Sequence, residues 1–514
     1  MVIVGGGIGG LVTGGLLART GFKVTILEKN GQTGGRCQSL ATRGGFRFDT
    51  GPSLLLFPDT YKKTFELLGS RLDDQVQVTK IEPAGYRVHF GDGTDADMFY
   101  DLKTMKEQLE RMEPGAGEAY DVWIRDAANS LKLGMENFIE RDADNLLQLL
   151  RLDKLIPMVL KVSPLNLLLP HINVLAQKFK DPRLKAMFTF QDLYVGLSPY
   201  NAPGVYSLLA GTELLDGVWY PKGGFQNIRQ AVQRLAEEQG VQVVTNTEVK
   251  KILFEGSTAV GVQLADGTSV KADLVVCNQD VSKGMAMMDS PKARGKGASI
   301  RDKWDYSCGV VSFNWGINKP VPELLHHNVF LSDEYEASWD RAATKDGFVK
   351  KPNFYVHAPC VTDPTAAPAG KSSVMVLLPI ANMQEIEKKL GRKLNAEERR
   401  AKIDQLVEEG RERVLTTFEA KGIKLRDHIE EEFVIDPIEW ERRYGIEHGA
   451  VFGLSHGMLQ LATFRPAIKD LDHQNLYFTG ASTRPGNGVP LVMISGRLCA
   501  ERILEDAGIP ITWN

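Results

Sequence analysis

Gly5, Gly7 and Gly10 occupy the marked positions of a G-x-G-x-x-G run. The apolar stretch Val2-Ile3-Val4 precedes it, and apolar residues at helical spacing follow it, namely Ile8, Leu11, Val12 and Leu16. Glycines in such a turn let the chain reverse tightly, let a pyrophosphate approach bare backbone, and bring helix close to strand. The helix start adds N–H groups without intrahelical partners and a positive potential. A second apolar stretch, Lys23-Val24-Thr25-Ile26-Leu27, ends at Glu28, about 20 positions further on. The Glu28 carboxylate can accept hydrogen bonds from both hydroxyls of a ribose. The series strand, glycine turn, helix, strand, acid predicts a dinucleotide site.

Three further stretches point to FAD rather than NAD. Gly34-Gly35-Arg36 follows Glu28 closely, as in flavoproteins similar to glutathione reductase, where backbone and arginine reach the same pyrophosphate. Phe46 to Ser53, with Gly51-Pro52, resembles the F-D-x-G-P segment of flavin desaturases and amine oxidases. Near the C-terminus, Asn475 to Pro490 reads as a strand, a glycine-rich loop containing Gly480, Gly486, Gly488 and Val489, and a helix opening at Pro490. Proline suits a first helical turn. A helix N-terminus aimed at a flavin stabilises the negative charge of the reduced ring.

These residues need elements to hold them. Tyr86 to Phe90 alternates as a strand, and residues 103–140 are helical in pattern, interrupted at Pro114-Gly115. Trp219 to Phe225 leads into a helix over Gln226–Glu238. Val241 to Ile252 and Leu274 to Asn278 read as strands, and Asn395 opens a charged helix to about Lys421. Among 514 residues, 43% are hydrophobic and 25% charged, the composition of a folded globular protein. With 61 Lys plus Arg against 65 Asp plus Glu, the chain has no basic excess, so a nucleic-acid partner is not expected. Five scattered cysteines with no CxxC spacing predict neither a zinc site nor a redox dithiol, and no metal is expected. The sequence opens inside a strand, so the start is either natural or follows a removed leader.

The whole chain, from Val2 to about Asp506, resembles the bacterial and fungal phytoene desaturases among the FAD-dependent carotenoid desaturases. The resemblance also rests on Tyr306 to Asn318, His326-His327, Phe354 to Pro364, Gly453 to His456, Phe464-Arg465-Pro466 and Gly480 to Pro490. The closing motif of that family usually reads T-H-P-G, where this sequence has Thr483-Arg484-Pro485-Gly486. The resemblance implies an α/β fold with an α+β substrate part. A Rossmann-like FAD-binding domain of the glutathione reductase and amine oxidase type would comprise residues 1–80, 220–290 and 465–514. A discontinuous substrate domain would comprise 81–103, 200–219 and 291–464, and a helical membrane-facing cap 104–199. In the family the backbone at the Val249 position contacts adenine, and the Arg141-Asp142 pair is the nearest equivalent of an acid–arginine pair considered catalytic. His357 and His456 are read as structural.

The implied reaction introduces double bonds into a long isoprenoid such as phytoene, with oxygen or a quinone as electron acceptor. Isomerisation or hydration of a carotenoid at the same FAD site is the alternative. Such a substrate is held in bilayers, so a peripheral membrane protein is expected, on the cytoplasmic side or on a plastid membrane if a leader was removed. The stretch Leu146 to Phe179 is rich in leucine but broken by prolines and lysines, and no run reaches the ~18 apolar residues of a span. It is the expected lipid-facing surface.

Overall fold

The computed structural model describes residues 1–142, 168–341 and 349–513. The first βαβ folds as the spacing predicts. Strand Val2–Val4, helix Ile8–Arg19 and strand Thr25–Leu27 follow in order, with Val2 in register with Thr25. They belong to a five-stranded parallel sheet in the order Leu476–Phe478, Val275–Cys277, Val2–Val4, Thr25–Leu27, Gln242–Val244. Chain segments more than two hundred residues apart thus meet as neighbours. The central strand is buried throughout, as expected for a parallel sheet covered on both faces. Helices Ile8–Arg19 and Phe225–Glu238 share one hydrophobic cluster with helix Val489–Asp506, built on Leu11, Leu16, Ile228, Val232, Ile494 and Leu498.

A seven-stranded sheet forms the second layer. Its order is Ile429–Ile435, Gly309–Ile317, Ser372–Ile380, Phe354–His357, His327–Leu331, Ala84–Phe90, Asp95–Phe99. All pairs are antiparallel except His327–Leu331 with Ala84–Phe90. Helix Ala396–Ala420 covers part of it, placing Ile403, Leu406, Val414 and Phe418 against Phe313, Trp315 and Phe330. The Asn395 side chain accepts from the Glu398 N–H and Glu398 reaches back to Asn395, closing both sides of the expected capping box.

Helices Leu102–Met112 and Ala116–Gly134 lie on either side of the expected break at Pro114-Gly115. Their apolar faces (Met105, Leu109, Tyr120, Trp123) share one cluster with Tyr86, Val88, Phe179, Phe188 and Phe190. Phe46 and Phe48, which follow the Gly34-Gly35-Arg36 stretch in sequence, also pack in this cluster. Of the expected lipid-facing stretch Leu146 to Phe179, residues 146–167 lie outside the described residues. Among the described residues, no helix is long and apolar enough to cross a membrane.

Candidate active site

The nucleotide end is built where the parallel strands stop. Glu28 is buried, its Oε2 accepting from Gly6 N–H at 2.8 Å and its Oε1 from Asn30 N–H at 2.8 Å. These bonds fix the carboxylate while leaving lone pairs for a diol, since a carboxylate offers about four acceptor sites. The backbone of Glu28 is tied to both sides of the chain leaving strand Gln242–Val244, through Val244 and Thr247. Val249, 8% exposed, begins the next strand. Asn278 at the tip of strand Val275–Cys277 explains two of the glycines. A Cβ on Gly7 would lie 2.7 Å from its Nδ2, and one on Gly480 would lie 2.7 Å from its Oδ1. The first and last glycine loops therefore close on one amide side chain.

The two helices that open at these loops run against each other. The Thr13 hydroxyl is shared between the carbonyls of Gly9 and Gly496, at 2.8 and 3.0 Å. The first helix thus packs near its start against the middle of the last helix, with Gly480 beside Gly9. Gly7, Gly35, Arg36, Gly51, Pro52, Gly488 and Val489 keep part of their surface open, while Gly5, Gly10, Gly480 and Pro490 are buried. Gly488, the N-cap of the last helix, holds φ +96°, a backbone that L side chains rarely adopt. Arg36 donates to the Val451 carbonyl at 2.7 Å, and Gly51 packs on the Arg36 carbonyl. Bare backbone at two helix N-termini opened by glycine loops, with an anchored buried carboxylate, fits a dinucleotide such as FAD.

The loop at the last helix is pinned from below by Arg465, 1% exposed. Its guanidinium donates to the carbonyls of Thr483, Ala481, Ser455, Gln460 and Leu454. Burial lowers it to about 10, which leaves it charged at neutral pH. His456 packs under the same loop, its Nε2 accepting from Asn487 N–H at 3.4 Å; burial, then Arg465, holds it well below the usual histidine range. The expected Arg141-Asp142 pair separates. Arg141 is exposed and donates to the Glu136 carbonyl, so the structure does not bring it to the site. Asp142 instead pairs with Arg484 at 2.8 Å, both nearly buried. The arginine that replaces histidine in the closing motif thus has a carboxylate partner from the helical segment.

Beyond the loop lies a small, mostly apolar cavity of ≈ 40 Å³, lined by Phe190, Leu193, Tyr194, Val329, Leu331, Ser338, Trp339, Arg341, Asn353, Phe354, Tyr355 and Pro379. The Tyr194 carbonyl accepts from Asn487 Nδ2 at 2.8 Å, so the cavity wall is tied to the glycine loop. Two buried polar networks back its two tyrosines. Behind Tyr355 the hydroxyl contacts Ser53 Oγ at 2.8 Å and His327 Nδ1 at 2.7 Å. Next to it His326 and His357 meet Nε2 to Nε2 at 3.0 Å, and His326 Nδ1 meets the Thr362 hydroxyl at 2.8 Å. Burial, reinforced by the neighbouring rings, keeps His327 and His357 neutral, and burial lowers His326 to about 3. The sequence reading expects no metal; these three rings nonetheless place one potential ligand atom each within 4.8 Å of the others. Behind Tyr194, Tyr86 and Glu213 form the second network.

Sequence reasoning missed Asn278, Glu213, Tyr194 and the loop-pinning role of Arg465. Glu213 alone left a signal, as the one charge in the apolar stretch Ser207-Leu208-Leu209-Ala210-Gly211-Thr212-Glu213-Leu214-Leu215.

Comparison with known proteins agrees with this geometry. The family described as flavin containing amine oxidoreductase matches residues 8–504, and the chain belongs to it. An oxidoreductase from Methanosarcina mazei superposes with a TM-score of 0.61 at 16% identity, covering 98% of this chain and 99% of that one, a likeness of fold. Within the family the chain groups with the carotenoid desaturases. It is 37% identical to the phytoene desaturase of Fusarium fujikuroi over 99% of this chain and 90% of that protein. It is 34% identical to the zeta-carotene-forming phytoene desaturase of Myxococcus xanthus, over 98% and 93%.

Proposed function

We propose that this chain is an FAD-dependent desaturase that introduces double bonds into a long-chain isoprenoid of the phytoene type. The observation that carries this reading is the mostly apolar cavity joined, through Tyr194 and Asn487, to the glycine loop that opens the last helix. Bound FAD supplies hydride acceptance from an allylic carbon. The chain's own residues do the rest. Gly7, Gly35 and Arg36 would offer backbone and charge to the pyrophosphate, with buried Gly5 and Gly10 shaping the turn and the close helix–strand contact behind them; Glu28 would take the ribose, and the backbone at Val249 would meet the adenine. Gly51, Pro52, Gly488 and Val489 would border the ring, with Gly480 and Pro490 supporting them from behind. Phe190, Leu193, Val329 and Phe354 exclude water and align a hydrocarbon. The same reading divides the chain into an FAD unit, a substrate unit and a helical cap.

We also propose that the protein binds a bilayer peripherally and passes electrons to oxygen or a quinone. The membrane reading is supported by Leu168, Leu459 and Phe464, which are 78%, 80% and 51% exposed. They flank one small cluster, since Leu169 bonds Gly204 and Leu461 packs on Ala202 and Tyr206. The deciding experiment gives FAD-loaded protein phytoene in liposomes, with oxygen or a quinone. Products lighter by two hydrogens per step are expected. A product of unchanged mass would defeat the reading.

A further inference from the structure

Glu213 is a carboxylate 1% exposed inside the apolar helix Ser207–Leu215. Its Oε1 accepts from the Tyr86 hydroxyl at 2.8 Å and its Oε2 from Gln191 Nε2 at 3.0 Å. Tyr86 has one hydroxyl proton, and it is donated to the carboxylate. The 2.9 Å contact between the Tyr86 and Tyr194 hydroxyls is therefore donated by Tyr194. Both phenolic protons point down the chain toward Glu213, and Tyr194 belongs to the cavity wall next to the glycine loop.

We propose that Tyr194 receives the proton released in desaturation and that Glu213 is the sink for it, reached through the Tyr86 hydroxyl. This rests on the desaturase reading above. Forming a double bond breaks two C–H bonds on adjacent carbons. One hydrogen leaves with both electrons as hydride, and oxidised flavin is its acceptor. The other leaves as a proton, and its bonding pair becomes the new π bond. That proton forms an O–H bond on Tyr194 as the Tyr194 proton passes to Tyr86 and the Tyr86 proton to Glu213 Oε1. Both phenols end neutral, and one carboxylate has become a carboxylic acid. A phenol suffices as first acceptor because a carbon next to an electron-poor allylic centre gives up its proton readily. Tyr194 touches the reacting carbon, whereas Glu213 and Tyr86 act through it.

The groups facing Glu213 are Tyr86 from strand Ala84–Phe90 and Gln191 and Tyr194 from the turn 190–195. Tyr100 and Tyr355 lie further out, and His327 sits 5.5 Å from the Tyr86 ring. Burial holds His327 neutral, so none of these is a cation. Burial raises Glu213 to about 7, against the hydrogen bonds from Gln191, Tyr86 and Tyr194, which lower it. A carboxyl in that range can take a proton in one cycle and give it back through Tyr86 and Tyr194 to the cavity before the next.

The test compares the FAD-loaded parent with Glu213→Gln, Glu213→Asp, Tyr194→Phe and Tyr355→Phe. Steady-state rates are followed from about pH 5 to about pH 9, with a second readout on substrate-free protein, the infrared band of a buried carboxyl during pH titration. Parent kcat should rise as pH rises through about 7, where Glu213 ionises, and then level off. Glu213→Gln keeps the shape and the acceptor oxygen. It should retain FAD and KM, lose on the order of 10²-fold in kcat, and lose the acid limb. Glu213→Asp should recover part of the rate together with the limb, which a purely structural role would not produce. The carboxyl band should titrate near 7 in the parent and in Tyr194→Phe and vanish in Glu213→Gln. Parent-like kcat and pH profile in Glu213→Gln would overturn the proposal, as would a limb that disappears in Tyr355→Phe but persists in Tyr194→Phe. Failure of the desaturase reading would show separately, in a parent that forms no desaturated product.

Discussion

At the scale of residues, the cofactor end makes the sharpest predictions. Glu28 holds its carboxylate with two backbone N–H groups and has capacity left for a ribose diol. Glu28→Ala should weaken FAD binding by about 1–3 kcal/mol, the range for a hydrogen bond to a charged group. Titration of apoprotein with FAD measures it, and unchanged affinity would displace the nucleotide site. At Gly488 the difficulty is conformational, because valine at φ +96° is strained. Gly488→Val should lower FAD occupancy in the purified protein, read from flavin absorbance per chain. The histidines set an acid limit. Burial depresses His326 to about 3 and holds His327 and His357 well below their ordinary value. Below about 6.5 the unfolded chain binds protons that the folded chain refuses. Their contribution to stability is thus complete above about 6.5 and is lost as pH falls toward 3. Melting temperature should fall across that window, and the fall should be shallower in His326→Gln.

Among elements, the last helix and its loop matter most. Arg465 ties the carbonyls of residues 454, 455 and 460 to those of 481 and 483, so one guanidinium fixes two loops. Arg465→Met would keep much of the volume and orphan several buried acceptors. We expect a loss on the order of 3 kcal/mol or more in unfolding free energy, accompanied by loss of FAD. Denaturant unfolding with and without added FAD separates the two effects. The Asp142–Arg484 pair ties the end of the helical segment to the same loop. The elements themselves were largely legible in the sequence. Helix Ile8–Arg19 and the two-sided break at Pro114-Gly115 match their apolar spacing and turn residues, because local propensity and burial agree there. The family resemblance makes Arg141-Asp142 the nearest equivalent of an acid–arginine pair. Neighbours at a helix end point in different directions, and only Asp142 turned inward.

For the molecule as a whole, the proposed bilayer contact is the feature to test. Leu168, Leu459 and Phe464 together would bury a few hundred Å² of apolar area, worth several kcal/mol at ~25 cal/mol per Å² before ordering costs. Replacing these three by Ser should abolish co-sedimentation with liposomes and leave FAD content unchanged. Parent protein that never sediments with liposomes would remove the bilayer from the account. The sequence by itself determined the dinucleotide fold and its cofactor, since the G-x-G-x-x-G turn, the Glu28 carboxylate and Gly34-Gly35-Arg36 all lie within one short βαβ stretch whose spacing is local in the chain. It also pointed to the family, through motifs spread from Val2 to Asp506. Only the tertiary structure decided what stands opposite the cofactor. Tyr86, Tyr194 and Glu213 come from a strand, a turn and a helix more than a hundred residues apart at the extremes, and beyond the lone charge of Glu213 in its apolar stretch no local pattern tells that they meet. Asn278 explains Gly7 and Gly480 only once the parallel strands bring the two ends of the chain together. Side chains that work by meeting across a core leave no spacing to read, because their separation in sequence is set by the path of the chain and not by their chemistry.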